Sequence, residues 1–96
     1  MKSFNKLSAA QIERLAILAE ECGETVQAAM KIIRRGFDRK HPRKQGLTNR
    51  GHLEDEIGNV LNAIEMMVEA GDVRLEIIQV SLEAKRERVK KYLYHN

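Results

Sequence analysis

The sequence has little of what disulfide-rich and membrane proteins contain. Its 96 residues include one cysteine and one proline, no tryptophan, and only 4% aromatic residues. The lone Cys22 cannot form an intrachain disulfide, and we assign it to the core. No apolar run is long enough to span a bilayer, and the first residues lack the apolar segment of a signal peptide. We therefore expect a cytoplasmic protein without a membrane partner.

The residues that are abundant favour one small helical domain. Apolar residues make up 43% and charged residues 32% of the chain, and the formal net charge is +3. A chain of this length buries only about two-thirds of its unfolded surface, so a partner chain would add to its core. The histidines, His41, His52 and His95, are too scattered for a zinc site.

Two basic clusters carry the positive charge, RRGFDRKHPRK at residues 34–44 and KRERVKK at residues 85–91. Either cluster could bind polyphosphate or nucleic acid, or be a solvated surface. No nucleic-acid-binding signature and no interleaved aromatic residues accompany them, so we do not expect a nucleic-acid partner.

The apolar pattern predicts an all-α fold with three helices, at about residues 8–35, 51–70 and 73–94. Ser8, followed by Gln11, predicts a capping box at the first helix, and Asp72 is the expected N-cap of the third. Residues 36–50 contain proline and glycine without apolar periodicity, which predicts a long, basic, mobile loop. Gly71 is expected to end the second helix.

Each of the first two helices has two faces to bury. Glu21 and Glu24 lie opposite the main apolar stripe of the first helix, among small and apolar residues. Glu56 and Asn59 take the same position on the second helix. The main stripes consist of Leu15, Leu18, Ala19, Cys22, Val26, Ala29, Met30 and Ile33 in the first helix, and of Leu53, Ile57, Val60, Leu61, Ile64 and Val68 in the second.

Three carboxylates on partly buried faces repel one another and lose hydration, so such a site either retains protons or holds a cation. Oxygen ligands from two neighbouring helices suit Mg²⁺, or Mn²⁺, with positions left open for water and phosphate oxygens. The alternative is that these acidic pairs form solvated faces or salt bridges, as pairs three residues apart on helices commonly do.

The same residues carry a resemblance to a known family. Residues 20–24 read EECGE and residues 56–59 read EIGN, which is similar to the EExxE and ExxD pair of the MazG-like nucleoside triphosphate pyrophosphohydrolases. The resemblance covers residues 10–94 and is greatest to short single-domain members from phages and bacteria. It implies a MazG-like helical bundle. It also implies Mg²⁺-dependent hydrolysis of a ribo- or deoxyribonucleoside triphosphate to the monophosphate and pyrophosphate. If the chain is phage-encoded, the expected location is the host cytoplasm.

The resemblance also implies the site residues. Glu21, Glu24 and Glu56 correspond to metal ligands, and Glu20 to a residue that assists catalysis or positions water. Asn59 stands where the family has aspartate. An amide oxygen can coordinate a hard cation but brings no charge, so we expect weaker metal binding. The alternative function is therefore a catalytically weak or inactive nucleotide-binding or regulatory bundle.

Basic and amide side chains are the candidates for binding phosphate. In the third helix Lys85 occupies a position of the apolar stripe, so Lys85 and Arg88 could lean toward the metal site and neutralise phosphate oxygens. Lys31 and Asn62 are further candidates for nucleotide or phosphate binding. The alternatives are that Lys85 extends its charge into solvent past apolar neighbours and that Asn62 is an ordinary surface residue.

Two apolar faces on each helix of so short a chain predict that a second copy covers one of them. The expected assembly is a helical bundle across a two-fold axis. The family resemblance likewise implies a homodimer or a dimer of dimers, with nucleotide bound near the boundary between subunits.

Overall fold

The computed structural model describes residues 4–43 and 45–95 of the chain. Its helices are α1 (Ala9–Arg35), α2 (Asn49–Glu69) and α3 (Leu75–Val89). The all-α fold class is thus confirmed, since the described residues form an isolated bridge between Lys40 and Thr48 but no named strand. Among these helices, none combines the length and the apolar character that a membrane crossing requires.

The two ends of α1 follow the predicted local chemistry. Ser8 is the N-cap, and its hydroxyl accepts a hydrogen bond from the backbone N–H of Gln11 at 3.1 Å. The Gln11 side chain accepts one from the Ser8 N–H at 2.8 Å, which completes the capping box. At the other end Gly36 has φ 89°, a backbone conformation that favours glycine, and its N–H donates to the carbonyl of Ile32.

α2 ends at Glu69, just before Gly71 with its φ of 80°, as predicted, but the start of α2 and both ends of α3 differ from the prediction. α2 begins at Asn49, before the expected position 51, because the Thr48 hydroxyl accepts a 3.0 Å hydrogen bond from the N–H of Gly51. Asp72 was the wrong N-cap for α3: its N–H donates to the Met67 carbonyl in the turn that ends α2, and Arg74 takes the N-cap position. α3 ends at Val89, short of residue 94.

The connection between α1 and α2, residues 36–48, has defined backbone pairing, which its composition did not predict. The N–H of Asn49 donates to the carbonyl of Arg39 at 2.8 Å, and the N–H of His41 to that of Leu47 at 2.6 Å. The buried Asn49 also donates a side-chain N–H to the Gly36 carbonyl at 3.2 Å. These bonds join the two ends of the loop and fix the position of His41.

The glutamate-bearing faces of α1 and α2 are the faces that bury side chains. Ala28 of α1 and Ala63 of α2 are each 1% exposed, and Glu56 is 5% exposed. On the main apolar stripe of α1, by contrast, Val26 is 62% and Ile33 is 74% exposed. Cys22, on that stripe, is exposed too, so its assignment to the core was wrong.

By backbone proximity the chain divides into two units after Met66. The first unit holds α1, the connection and most of α2. In the second unit α3 has no buried residue, and its apolar side chains Leu75, Ile77, Val80 and Leu82 are exposed.

Candidate metal centre and basic cleft

Three carboxylates from the two helices of the first unit meet at one point. Glu21 and Glu24 lie one turn apart on α1, and α2 brings Glu56 to them. One oxygen from each residue lies within 4.8 Å of the others. The helices meet closely here, since the Thr25 hydroxyl of α1 lies 3.5 Å from the Glu56 carbonyl oxygen of α2.

Two oxygens of this cluster are buried without a hydrogen-bond partner among the described residues, Oε2 of Glu21 and Oε2 of Glu56. An unsatisfied buried carboxylate oxygen is costly, and a bound cation or an ordered water would satisfy it. Around an octahedral ion with bonds of about 2.1 Å, ligand oxygens lie about 3.0 Å apart when adjacent and about 4.2 Å apart when opposite. Separations of at most 4.8 Å are compatible with three such oxygens around one Mg²⁺ or Mn²⁺ ion.

His52 contacts the other oxygen of Glu56. Its Nε2 lies 3.3 Å from Glu56 Oε1, and the two residues are one helical turn apart on α2. The ring of His52 also meets the ring of His41 edge to face, with centroids 4.6 Å apart and an interplanar angle of 82°. His52 therefore touches both the carboxylate cluster and the connection between α1 and α2.

A cleft of about 530 Å³ opens beside the carboxylates. Its volume falls in the range of small-molecule sites. Its walls combine acidic, basic and imidazole side chains from α1, the connection and α2, namely Glu24, Gln27, Lys31, Arg34, Arg35, His41, Pro42, Arg43, His52 and Glu56. Four cationic side chains thus share one cavity with two of the three clustered carboxylates, which is an arrangement suited to a metal-bound polyanion.

Within the cleft, Lys31 and His41 are in direct contact. Lys31 Nζ lies 3.2 Å from His41 Nε2, and His41 Nδ1 accepts a hydrogen bond of 3.0 Å from the backbone N–H of Arg43. His41 is only 9% exposed. The backbone pairing of the connection therefore presents this imidazole to the side chain of α1.

Within the first unit the structure brings some of the predicted site residues together and leaves others outside the cleft lining. Glu21, Glu24 and Glu56 converge, and Lys31 lines the cleft beside them. Glu20 and Asn59 are exposed and are not among the lining residues. The Asn62 amide donates to the sulfur of Met66 at 3.6 Å. Lys85 and Arg88 are exposed on α3, in the second unit.

Several lining residues were not predicted individually. Arg34, Arg35 and Arg43 belong to the basic cluster at 34–44, whose possible role in polyphosphate binding the sequence did indicate; Lys44 at its end lies outside the described residues. His52 could have been found from its spacing, four residues before Glu56. No local pattern connects His41 with Lys31, because that contact depends on how the connection folds back.

Comparisons with known proteins do not identify a family. No protein-family model matches the chain, no match is found among curated proteins, and no solved structure matches it.

Proposed function

We propose that this protein hydrolyses a nucleoside triphosphate to the monophosphate and pyrophosphate with the help of Mg²⁺. The observation that carries the proposal is the pair of buried carboxylate oxygens of Glu21 and Glu56, which have no hydrogen-bond partner among the described residues, beside a cleft lined with cationic side chains. The acidic cluster suits a hard cation, and the basic wall suits the phosphate chain that such a cation accompanies. The motif resemblance to the MazG-like enzymes agrees with this reading.

In this proposal Glu21, Glu24 and Glu56 hold Mg²⁺, for which Mn²⁺ could substitute. When bound, the cation supplies charge neutralisation at phosphate oxygens and a more acidic coordinated water. His52 keeps the Glu56 carboxylate in place through its 3.3 Å contact. Lys31, Arg34, Arg35 and Arg43 bind phosphate oxygens. The exposed Glu20 keeps its proposed role of positioning water, and Lys85, Arg88 and Asn62 remain candidate contacts to the nucleotide.

A second function is kept open by Asn59. This side chain is neutral and exposed, one turn after Glu56, where the family motif has a charged residue. If turnover requires that charge, the same cleft would bind nucleotide without hydrolysing it. The protein would then be a nucleotide-binding or regulatory bundle.

Self-association is part of the proposal. The exposed apolar stripe of α1, which we define as Leu15, Val26, Met30 and Ile33, runs along the side opposite the carboxylates, and Ile57 and Leu61 of α2 are also exposed. Contiguous exposed apolar surface of this kind marks protein contacts. We propose that a second copy of the chain covers it, in a homodimer or a dimer of dimers with a MazG-like bundle.

The deciding experiment measures pyrophosphate release from a panel of ribo- and deoxyribonucleoside triphosphates, with Mg²⁺, with Mn²⁺ and with chelator. We expect metal-dependent release that is lost in Glu24→Gln and kept in Glu54→Gln, an exposed residue of α2 outside the cluster. Nucleotide binding without release, by a correctly folded protein, would support the regulatory alternative. Neither binding nor release in any condition would refute both functions.

A further inference from the structure

We infer that Lys31 Nζ and His41 Nε2 together bind one oxygen of a polyphosphate chain, at the basic part of the cleft. This inference rests on the proposed function and deepens it. It assigns two side chains that bind the phosphate chain at a point outside the carboxylate cluster. It uses only contacts within the first unit of the chain.

A backbone hydrogen bond fixes the tautomer of His41. The backbone N–H of Arg43 donates to Nδ1 at 3.0 Å, so Nδ1 carries no proton and the ring proton lies on Nε2. Nε2 lies 3.2 Å from Lys31 Nζ. A lysine ammonium has three donors and no acceptor, so this contact places two donors against each other.

Two donors that converge at this distance can both donate to a single anionic oxygen. Phosphate oxygens are strong acceptors of such charge-assisted hydrogen bonds. The surrounding charge favours the same ligand, since Arg34, Arg35 and Arg43 line the same cleft. Attraction to an anion in that cavity offsets the repulsion between the cation and the Nε2–H group.

The position of His41 is built into the fold. The ring is buried, its backbone N–H donates to the Leu47 carbonyl at 2.6 Å, and its neighbour Lys40 pairs with Thr48 across the connection. The rings of His52 and His41 contact each other edge to face, with centroids 4.6 Å apart. The imidazole is therefore oriented before a ligand arrives, which reduces the entropic cost of binding.

The shape of the charge distribution favours a polyphosphate over an isolated anion or a nucleic acid. Glu24 and Glu56 line the same cleft as the donor pair. A chain of linked phosphates can reach the donor pair at one end and a carboxylate-bound cation at the other. A nucleic-acid backbone offers one charge per phosphate, and the two carboxylates in the cleft would repel it.

The test is calorimetric titration of the full chain with inorganic pyrophosphate in chelating buffer, where no metal contributes. We expect weak binding, with a Kd of about millimolar or tighter. Lys31→Gln and His41→Gln should each weaken pyrophosphate binding about tenfold. The double variant should lose less affinity than the product of the two single fold-changes, since both residues bind the same oxygen. Lys40→Gln is the matched control: it removes the same charge from an exposed residue that does not line the cleft.

Undetectable pyrophosphate binding by the wild type, or an equal loss in Lys40→Gln and Lys31→Gln, would overturn the inference. Tighter binding of a single-stranded oligonucleotide that displaces pyrophosphate would also overturn it. Because His41 is buried and its variant could fail to fold, the imidazole nitrogen resonances of the unmodified protein provide a second measurement. They should show a protonated Nε2 that shifts on adding pyrophosphate, and a proton on Nδ1 would refute the argument.

These outcomes separate the inference from the proposed function. Pyrophosphate binding without metal binding or triphosphate hydrolysis would leave the donor pair standing and refute the enzyme. Metal-dependent hydrolysis that is unaffected by Lys31→Gln and His41→Gln would support the enzyme and refute the donor pair.

Discussion

Replacing Glu56 by glutamine tests the metal centre through stability alone. The change keeps the shape of the side chain and removes one negative charge from a group that is only 5% exposed. At 4.8 Å, the largest separation in the cluster, two charges repel by about 3.5 kcal/mol at an effective dielectric constant of about 20, and the partial exposure of Glu21 and Glu24 reduces this repulsion. After solvent screening we expect about 1 to 2 kcal/mol of stabilisation in the metal-free protein.

The amide of the new glutamine strengthens this expectation. Its NH₂ group would stand near Glu21 Oε2, a buried carboxylate oxygen that now has no partner among the described residues, and it could donate to that oxygen. The weakened contact with His52 acts in the opposite direction. For a domain of this size, 1 kcal/mol corresponds to a rise of about 4 to 8 °C in Tm.

Magnesium should invert the order of stability of wild type and Glu56→Gln. A ligand present at 100 times its Kd stabilises the folded state by about 2.7 kcal/mol, and Glu56→Gln should lose most of this gain. Wild type should thus be the less stable protein in chelator and the more stable one in saturating Mg²⁺. Thermal unfolding followed by circular dichroism, at one fixed protein concentration, measures both states.

Glu65→Gln is the control, because Glu65 is exposed on the same helix and is not a member of the cluster. It should behave like wild type in both buffers. The reasoning fails if Glu56→Gln is less stable than wild type in chelator and still gains as much from Mg²⁺.

The remaining predictions concern the motif, the exposed stripe and a helix cap. Asn59→Asp should tighten Mg²⁺ binding and raise pyrophosphate release about tenfold, the effect of about 1.4 kcal/mol in the barrier; lower stability with no gain in either would contradict the motif assignment. Wild type should be at least dimeric at micromolar concentration by light scattering, and Val26→Glu should yield a helical monomer; a monomeric wild type with native helicity would refute the exposed-stripe argument. Thr48→Ala should lower the free energy of unfolding by about 1 kcal/mol, with Thr48→Ser close to wild type in denaturant titrations; equal losses in both variants would show that the hydroxyl is not the cap.

Local chemistry made the helices and the carboxylate pairs predictable. The capping box of Ser8 and Gln11 involves residues three apart, and the spacing of Glu21 and Glu24 follows from 3.6 residues per turn. The third carboxylate, Glu56, could be expected nearby from the matching faces of the two helices. By contrast, Asp72 has a good N-cap side chain, but its N–H is used to end α2, so propensity alone misplaced the start of α3.

The choice of buried face was less predictable, because hydrophobicity ranks the faces in the wrong order. The stripe with Val26 and Ile33 is the more apolar, yet the face with Ala28 is the one that is buried. Small residues allow two helices to approach closely, and a helical wheel does not measure that. The cleft was hidden for another reason, since the approach of His41 to Lys31 depends on pairing between residues at the two ends of the connection.

α1 and α2 bury a carboxylate face and expose an apolar face, whereas an isolated helix pair is stabilised by burying its apolar faces. Glu56 is buried, and one of its oxygens has no partner in the described part of the chain, while Val26 and Ile33 remain largely exposed. Burying a carboxylate and exposing apolar side chains both cost free energy, and exchanging the two faces would avoid both costs. The arrangement becomes favourable if a cation satisfies the inner carboxylates and a second copy covers the outer stripe. The two parts of the proposed function thus answer the two unfavourable features of one helix pair, and Glu56→Gln and Val26→Glu test them separately.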